Sequence, residues 1–410
     1  MRRSEATADD ISWRVVVAGL CANLVGIGLA RFAYTPLIPA LVAAKWFLPA
    51  QADYLGAANL AGYLAGALLA RPMAARMADA ILLRAMMILA AATFFACAAP
   101  LSFLWFFVWR FAAGLAGGAI MVLAAPAALA HVPPSRRGLA GGILFAGVGL
   151  GIAASGTLVP LLLRAGLPAT WCGLGVLAAM LSVVAWRGWQ SERPRAAPLG
   201  GHANGWRRRP RPPTILAALY VQYALNAVGL VPYMVFLVDF VARELGRGIA
   251  SGARMWVIYG IGALIGPVLT GRLADGVGFD RALRLTYVVQ AVAVIVPAMT
   301  TGAAALAVSS LVIGASTPGI VPLVFGRIHE LAPADDRSGA WRTATLAFAI
   351  GQAGAAYGFA AIFASTGDYI LLFVIAAGAF ALALGADLAV AAATRFRYRQ
   401  SGPSQRRTGG

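Results

Sequence analysis

Two arginines, Arg31 and Arg110, stand inside long apolar runs of the chain. Read as membrane-crossing helices, these runs put Arg31 about 18 residues, or about 27 Å, along the first at ~1.5 Å per residue. Arg110 lies about 8 residues into the fourth, which runs the opposite way, so both fall in the outer-to-middle part of the layer. An arginine at such depth costs at least ~2.5–3.5 kcal/mol to insert and must face protein or water, with a partner. No acid at comparable depth is evident; Asp53 and Asp239, near the outer ends of their runs, are the nearest candidates. Two under-paired guanidinium groups form an electropositive pocket suited to a carboxylate or similar anion, with bidentate geometry available. The alternative is that Arg110 binds helix ends or carbonyls as a gating element and that Arg31 snorkels outward.

Polar residues recur along the same runs at helical spacing. Asn23, Ile27 and Tyr34 share a stripe on the first, with Arg31 beside it. Gln222, Asn226, Gly229 and Tyr233 recur on the seventh at spacings of four, three and four, one face of a 3.6-residue period. Ser310, Gly314 and Thr317 do the same on the tenth, Asn59 and Tyr63 lie on the second, and Gln352 on the eleventh. Each could serve only an interhelical hydrogen bond, whereas a set of stripes converging from several helices fits a wet cavity. Catalytic signatures are missing: the chain has no HExxH, no GxSxG and no paired-cysteine metal site. Cys21, Cys97 and Cys172 lie in or at the ends of apolar runs and read as small core residues. His131 and His329 fall at span ends and His202 in a polar segment, as solvated or interfacial residues. No cofactor or metal is expected.

The elements that must position these residues follow from composition. Of 410 residues, 60% are hydrophobic and 12% charged, too little polar surface for soluble domains of this length. Hydrophobic runs recur from end to end, so lipid is the solvent for most of the chain. A soluble enzyme, a disordered regulator and a disulfide scaffold are thereby excluded. The runs predict twelve helices at 13–43, 51–71, 82–100, 102–130, 138–164, 168–189, 214–242, 252–271, 281–301, 303–328, 339–364 and 368–393. A membrane β-barrel would show short alternating segments, which are missing.

The formal charge of +18 comes from 32 arginines and one lysine spread through the short segments between runs, which argues against a nucleic-acid surface. With the N-terminal side called inside, the inside segments hold 26 basic residues and the outside segments 5. By the positive-inside rule both termini are cytoplasmic, and the first run is an uncleaved span. The segment 190–213 is polar, basic and rich in Pro and Gly, and reads as a cytoplasmic linker. The expected organisation is an N-terminal six-helix bundle at 1–189, the linker at 190–213, a C-terminal six-helix bundle at 214–394 and a basic cytoplasmic tail at 395–410.

An internal repeat supports two halves. YLAGALLARPMAARMAD, ending at Asp79, aligns with YGIGALIGPVLTGRLAD, ending at Asp275, at a constant offset of 196 residues. Tyr63 meets Tyr259, Gly66 meets Gly262, Arg76 meets Arg272 and Asp79 meets Asp275. The stretch GRLADGVGFDR, from Gly271 to Arg281, resembles the signature loop between the second and third helices of each half in the major facilitator superfamily. In the first-half copy, ARMADAILLRA, Ala75 and Leu82 replace the glycines. RFAAGLAGG, from Arg110, resembles that superfamily's fourth-helix arginine motif. GLARFAYTPLIPAL, from Gly28, and GVGLGIAASGTLVP, from Gly147, resemble its YbfB/YjiJ-like subgroup. The fifth-helix Gly-Pro pair typical of drug/proton antiporters is missing.

The resemblance implies an all-α membrane protein with twelve transmembrane helices in two pseudo-symmetric six-helix bundles, the major facilitator fold. It also implies that the first, fourth, seventh and tenth helices surround a central cavity. Substrate contacts are then expected from Arg31, Tyr34, Asn23, Asn59, Tyr63, Arg110, Gln222, Asn226 and Tyr233. A gating role is implied for Gly271, Arg272, Asp275, Gly278 and Arg281, and for Arg76 and Asp79 in the first-half loop. The expected protein is a secondary transporter moving a small organic solute, an organic anion by preference, across a bacterial inner membrane by alternating access. With no ATP-binding loop, a gradient must supply the energy. A proton is the first candidate for a co-transported ion, beside a protonated substrate, exchange, or no coupling. Efflux of sugars or lipophilic drugs is the main alternative; a channel and a membrane-embedded enzyme are distant ones. The expected partners are the solute and the lipid bilayer, with the protein acting as a monomer and no nucleic acid bound.

Overall fold

A computed structural model describes residues 2–133, 137–189, 214–333 and 336–400. The expected linker at 190–213 and the tail beyond Gln400 lie outside the described residues. Twelve long helical segments follow one another: α1 (Trp13–Ala43, continuous with a helix from Arg2), α2 (Pro49–Ala74), α3 (Asp79–Ala96), α4 (Phe103–Leu129), α5 (Arg137–Leu162) and α6 (Leu167–Trp186). They continue as α7 (Thr214–Glu244), α8 (Gly248–Val277), α9 (Phe279–Met299), α10 (Ala303–Leu331), α11 (Arg337–Thr366) and α12 (Tyr369–Gln400). The last helix runs on through residues 395–400, where the sequence suggests a tail. Eleven of the twelve are long and apolar enough to cross a membrane. The exception, α2, has 26 residues, about 39 Å of helix, and carries Gln51, Asp53, Asn59, Tyr63 and Arg71. Two of its polar groups face protein, Asp53 and Asn59 being each only 1% exposed, while Arg71 near its other end is exposed. The other helices turn side chains such as Val183, Leu104 and Met180 outward, where lipid is their natural solvent.

Two helices depart from regular α geometry, and both are central. In α1 a π-helical stretch, Leu24–Leu29, is followed by a 3-10 stretch, Phe32–Leu37, before the α form resumes at Ile38–Ala43. Pro36 and Pro39 supply part of the reason, since each lacks the N–H that a regular ladder requires. In α7 the helix Thr214–Val235, containing Pro232, gives way to Leu237–Asp239 and a π-helical Phe240–Glu244. The most apolar windows of α1 and α7 are 78% and 83% buried, against 33–56% in the other spans, which makes these two the innermost.

The first six helices and the last six pack by the same scheme. α2 lies along α4, α1 against α5 and α6, and α3 against α4 and α6. In the second set α8 lies along α10, α7 against α11 and α12, and α9 against α10 and α12. Glycines set the closest of these approaches. A β-carbon on Gly114 of α4 would lie 1.9 Å from the Asn59 carbonyl oxygen of α2, and one on Gly314 of α10 2.1 Å from the Tyr259 carbonyl oxygen of α8. In lipid, where burial of apolar surface adds little between helices, such contact is the main source of association.

The two sets meet through α5 with α8 and α2 with α11, and through the far ends of α1 and α7. "Far" here means the side opposite the start of α1. Gly149 and Gly156 of α5 press against Leu264 and Val257 of α8, whereas Gly141 and Gly142, nearer the start of α5, have nothing within 4 Å. Thr35 of α1 donates to the Met234 carbonyl of α7 at 2.6 Å, and Trp256 of α8 to Ser155 of α5 at 3.1 Å. Contact between the sets is therefore concentrated in the far half.

Candidate functional site

Arg31 sits at the junction of the two sets of helices. Its Nη2 donates to Gln352 Oε1 of α11 at 2.6 Å, and Gln352 in turn reaches the Met234 sulfur of α7 at 3.4 Å. The guanidinium lies 4.8 Å from the Tyr63 ring centroid of α2 and 5.1 Å from that of Phe32. Phe32 continues into an aromatic wall, 6.0 Å from Trp256, which stacks at 4.8 Å on Tyr259. Among the described residues no carboxylate pairs with Arg31, and its Nε is buried without a hydrogen-bond partner. A full positive charge is thus held by one amide oxygen, the Met234 sulfur at 4.0 Å and two aromatic faces, with Nε left over.

Arg110 is more deeply enclosed, at 2% exposure. Its Nη1 donates to the Ala30 carbonyl of α1 at 2.9 Å, and the group lies 4.3 Å from the Tyr34 ring centroid. Ala30 stands where the π stretch of α1 hands over to the 3-10 stretch. Its carbonyl also faces Asn59 Nδ2, which donates at 3.1 Å to the Arg110 carbonyl. The irregular turn in α1 is therefore held by side chains from α2 and α4. Arg31, Tyr34, Asn59, Arg110 and Met234 line a common cavity of about 20 Å³, room for about one water and no organic solute. A solute can reach Arg31 only after the helices around it move.

The remaining polar stripe residues are occupied by interhelical hydrogen bonds in this conformation. Asn23 donates to the Leu144 carbonyl at 3.0 Å, Tyr34 to the Ala52 carbonyl at 2.8 Å, and Asn226 to Gln290 at 2.7 Å. Tyr233 is hydrogen-bonded to Ser309, and Gln222 donates to Asp387 at 3.3 Å. The structure thus brings Arg31, Tyr34, Asn59 and Arg110 to one cavity, with Tyr63 beside it, and leaves Asn23, Gln222, Asn226 and Tyr233 bonded elsewhere.

The loop residues singled out in the sequence form no ion pair or side-chain hydrogen bond with one another among the described residues. Arg272, Asp275, Arg281, Arg76 and Asp79 are exposed, and none of them has an ion pair among the described residues. Gly271 has nothing within 4 Å, and Gly278 joins α8 to α9 at φ 83°, where glycine is favoured. The near-side charges that do pair are different ones. Asp280 meets Arg284 at 2.9 Å and Arg327 at 3.1 Å, Arg327 meets Glu330 at 2.7 Å, and Arg284 also pairs with Asp387. Sequence reasoning passed over Asp280 and Arg284, although their four-residue spacing on one helix face was a usable signal. It also passed over Met234, an apolar residue with nothing in its type to mark it.

On the far side Asp53 and Asp239 pair with neither Arg31 nor Arg110. Asp239 accepts from the Tyr369 hydroxyl of α12 and lies 3.4 Å from Arg243 Nε. Asp53 is buried, and neither of its oxygens has a hydrogen-bond partner among the described residues.

Comparison with known proteins gives this arrangement a family. A point mutant of the nucleoside transporter NupG matches over 92% of this chain and 99% of its own, with a TM-score of 0.72 at 12% identity. That likeness establishes the major facilitator fold and no more. Two uncharacterized MFS-type transporters of Mycobacterium tuberculosis, from strains CDC 1551 / Oshkosh and ATCC 25618 / H37Rv, are 29% identical over 203 residues. The match covers 46% of this chain, and it spans less than half, 42%, of the curated relatives it matches. A family model described as "Uncharacterised MFS-type transporter YbfB" matches residues 23–388. The chain is therefore a multi-pass membrane protein of the YbfB family of MFS-type transporters, and not an enzyme.

Proposed function

We propose that this transporter carries a small organic anion and that Arg31 is the group that receives its charge. One observation carries the reading: a guanidinium without a carboxylate partner among the described residues, at the junction of both helix sets, with an unsatisfied buried N–H. A cation in such a place is costly unless an anion completes it, and a bidentate carboxylate fits the planar fork. Phe32, Tyr63, Trp256 and Tyr259 around it favour a carboxylate with an apolar or aromatic body. Arg110, already bonded to Ala30, holds the bend of α1 beside the cavity and supports the site through Tyr34.

The units that move are taken to be residues 1–189 and 214–394, joined by the basic linker 190–213 and followed by the tail at 395–410. Alternating access proceeds as these units rock about the site. The near side is assigned to the cytoplasm of a bacterial cell and the membrane to the inner one, with both termini inside. That placement rests on the basic residues, 26 against 5. A proton is the first candidate for a coupled ion, and the active unit is a monomer with lipid as its only other necessary partner.

The test uses purified protein in proteoliposomes and in detergent, with benzoate, succinate, glucose and tetraphenylphosphonium as probes. Benzoate or succinate should raise the melting temperature and be taken up, and Arg31→Ala should lose both effects while still inserting. Binding of glucose or tetraphenylphosphonium alone, undiminished in Arg31→Ala, overturns the anion reading in favour of sugar or drug efflux.

A further inference from the structure

Asp53 lies in the second turn of α2, about 6 Å along the helix from Pro49. It is 1% exposed, and both carboxylate oxygens are enclosed without a hydrogen bond among the described residues. An ionised carboxylate so placed has lost its hydration and gained nothing in return, an arrangement that proteins avoid by protonation.

The groups around it do not supply the missing charge. From α7, Asp239 and Arg243 are close enough to act on it electrostatically, one repelling and one attracting. Arg243 already lies 3.4 Å from Asp239, and Glu244 adds a further negative charge beside that pair. From α12, the Tyr369 hydroxyl is given to Asp239. From α1, the Tyr34 hydroxyl is given to the Ala52 carbonyl, with Arg110 on the face of its ring. From α11, Tyr357 packs at a tilt against Tyr54, with ring centroids 6.3 Å apart. Two buried carboxylates thus share one guanidinium, which has made its contact with Asp239. With Glu244 exposed to solvent, one additional proton balances the two buried carboxylates against the guanidinium, and Asp53 is the one without a hydrogen-bond partner.

The cluster is divided between the two helix sets: Asp53 on α2, the rest on α7 and α12. It is assembled here, where the far side is closed; under the alternating-access reading, opening that side would part α2 from α7 and return Asp53 to water.

We propose that Asp53 is a proton-binding site that works the far-side gate, taking a proton from the far-side solvent as the gate closes and returning it there as the gate opens. The inference rests on the alternating-access reading above. It does not depend on which gradient drives the solute, because the proton leaves by the side it entered. The closed state binds one proton more than the open state, so acid favours closure and alkali favours opening.

The test needs no transported solute. In the full-length protein with Cys172→Ser, spin labels at Ala44→Cys on α1 and Ala250→Cys on α8 report the far-side separation; the native Cys21 and Cys97 are buried. The distance should be short in acid and lengthen in alkali, and Asp53→Asn should hold it short at every pH. Infrared spectra should show a protonated-carboxyl band that Asp53→Asn removes. Asp239→Asn, which frees Arg243 for Asp53, should weaken the pH dependence, so the inference stays testable even if Asp53→Asn does not fold. A wild-type distance indifferent to pH, an Asp53→Asn protein with wild-type pH dependence, or a spectrum in which the band survives, each overturns the proposal. Closure driven by sodium chloride and not by acid overturns it in favour of a cation site. A gate that responds to benzoate and not to pH rejects Asp53 alone. One that responds to pH in a protein that binds neither anion rejects the solute reading alone.

Discussion

The two membrane arginines differ in what removal would cost. Arg110 is almost wholly enclosed and holds the Ala30 carbonyl and the Tyr34 ring, so it fastens α4 to α1. A hydrogen bond from a charged group contributes about 1.5–3 kcal/mol and a desolvated cation–π contact about 2 kcal/mol. Arg110→Leu should therefore lower the melting temperature in detergent clearly, by an amount equivalent to about 2 kcal/mol or more. Arg31→Gln leaves a polar group beside Gln352 and should melt near the wild type while failing to bind anions. Equal loss of stability in both variants would mean that Arg31 is as structural as Arg110. The presence of two arginines in apolar runs was legible in the sequence, as was the lack of a deep acid to neutralise them. That Arg110 could bind a carbonyl was among the readings the sequence offered; which carbonyl was not legible, because it depends on how an irregular turn in α1 presents Ala30. The orphaned state of Asp53 was hidden for a similar reason. Its position near the outer end of a run placed it as a candidate partner for the arginines, and its lack of any hydrogen-bond partner among the described residues depends on how other helices pack around it.

At the scale of elements, glycines at four-residue spacing stand where helices approach most closely, while the central helices depart from regular geometry. Gly62 and Gly66, Gly114 and Gly118, and Gly262 and Gly266 recur every four residues, and each would bring a β-carbon within 2.2 Å of a neighbouring helix's backbone. The cost of a side chain there falls on backbone, which cannot give way. Gly114→Leu is accordingly expected to abolish monodisperse protein on size-exclusion chromatography. Gly271→Leu, with nothing within 4 Å, should elute as the wild type does. If both variants behave alike, the close α2–α4 contact is not what holds the first six helices together. The π and 3-10 stretches of α1 and α7 could not be read from the sequence. Pro36 and Pro232 lie in the irregular helices, but Pro126 and Pro160 lie inside unbroken ones, so proline alone gives no signal of where the irregularity falls. The irregularity takes its form from the side chains that donate to the freed carbonyls, and those come from other helices.

Across the whole molecule, the contacts between the two helix sets lie on the far side, while the sequence-matched loops of the near side are exposed and unpaired among the described residues. The signature-loop acid Asp275 touches nothing that the described residues show, so replacing it cannot weaken this conformation directly. In the gating role that the loop implies, its effect must fall on the conformation in which the near side closes and the α8–α9 loop meets its neighbours. Asp275→Asn should then shift the population toward the far-side-closed form, slow benzoate uptake into proteoliposomes severalfold and leave the amount of protein in the membrane unchanged. Asp280 pairs with Arg284 within α9 and with Arg327 across to α10 in the second set, so Asp280→Asn should act differently, lowering stability before it touches rate. The two substitutions flank the same turn, and their contrast separates a contact made once per transport cycle from one that persists through it. An unchanged uptake rate in Asp275→Asn removes that residue from the mechanism and leaves near-side closure to be carried by the helix ends themselves.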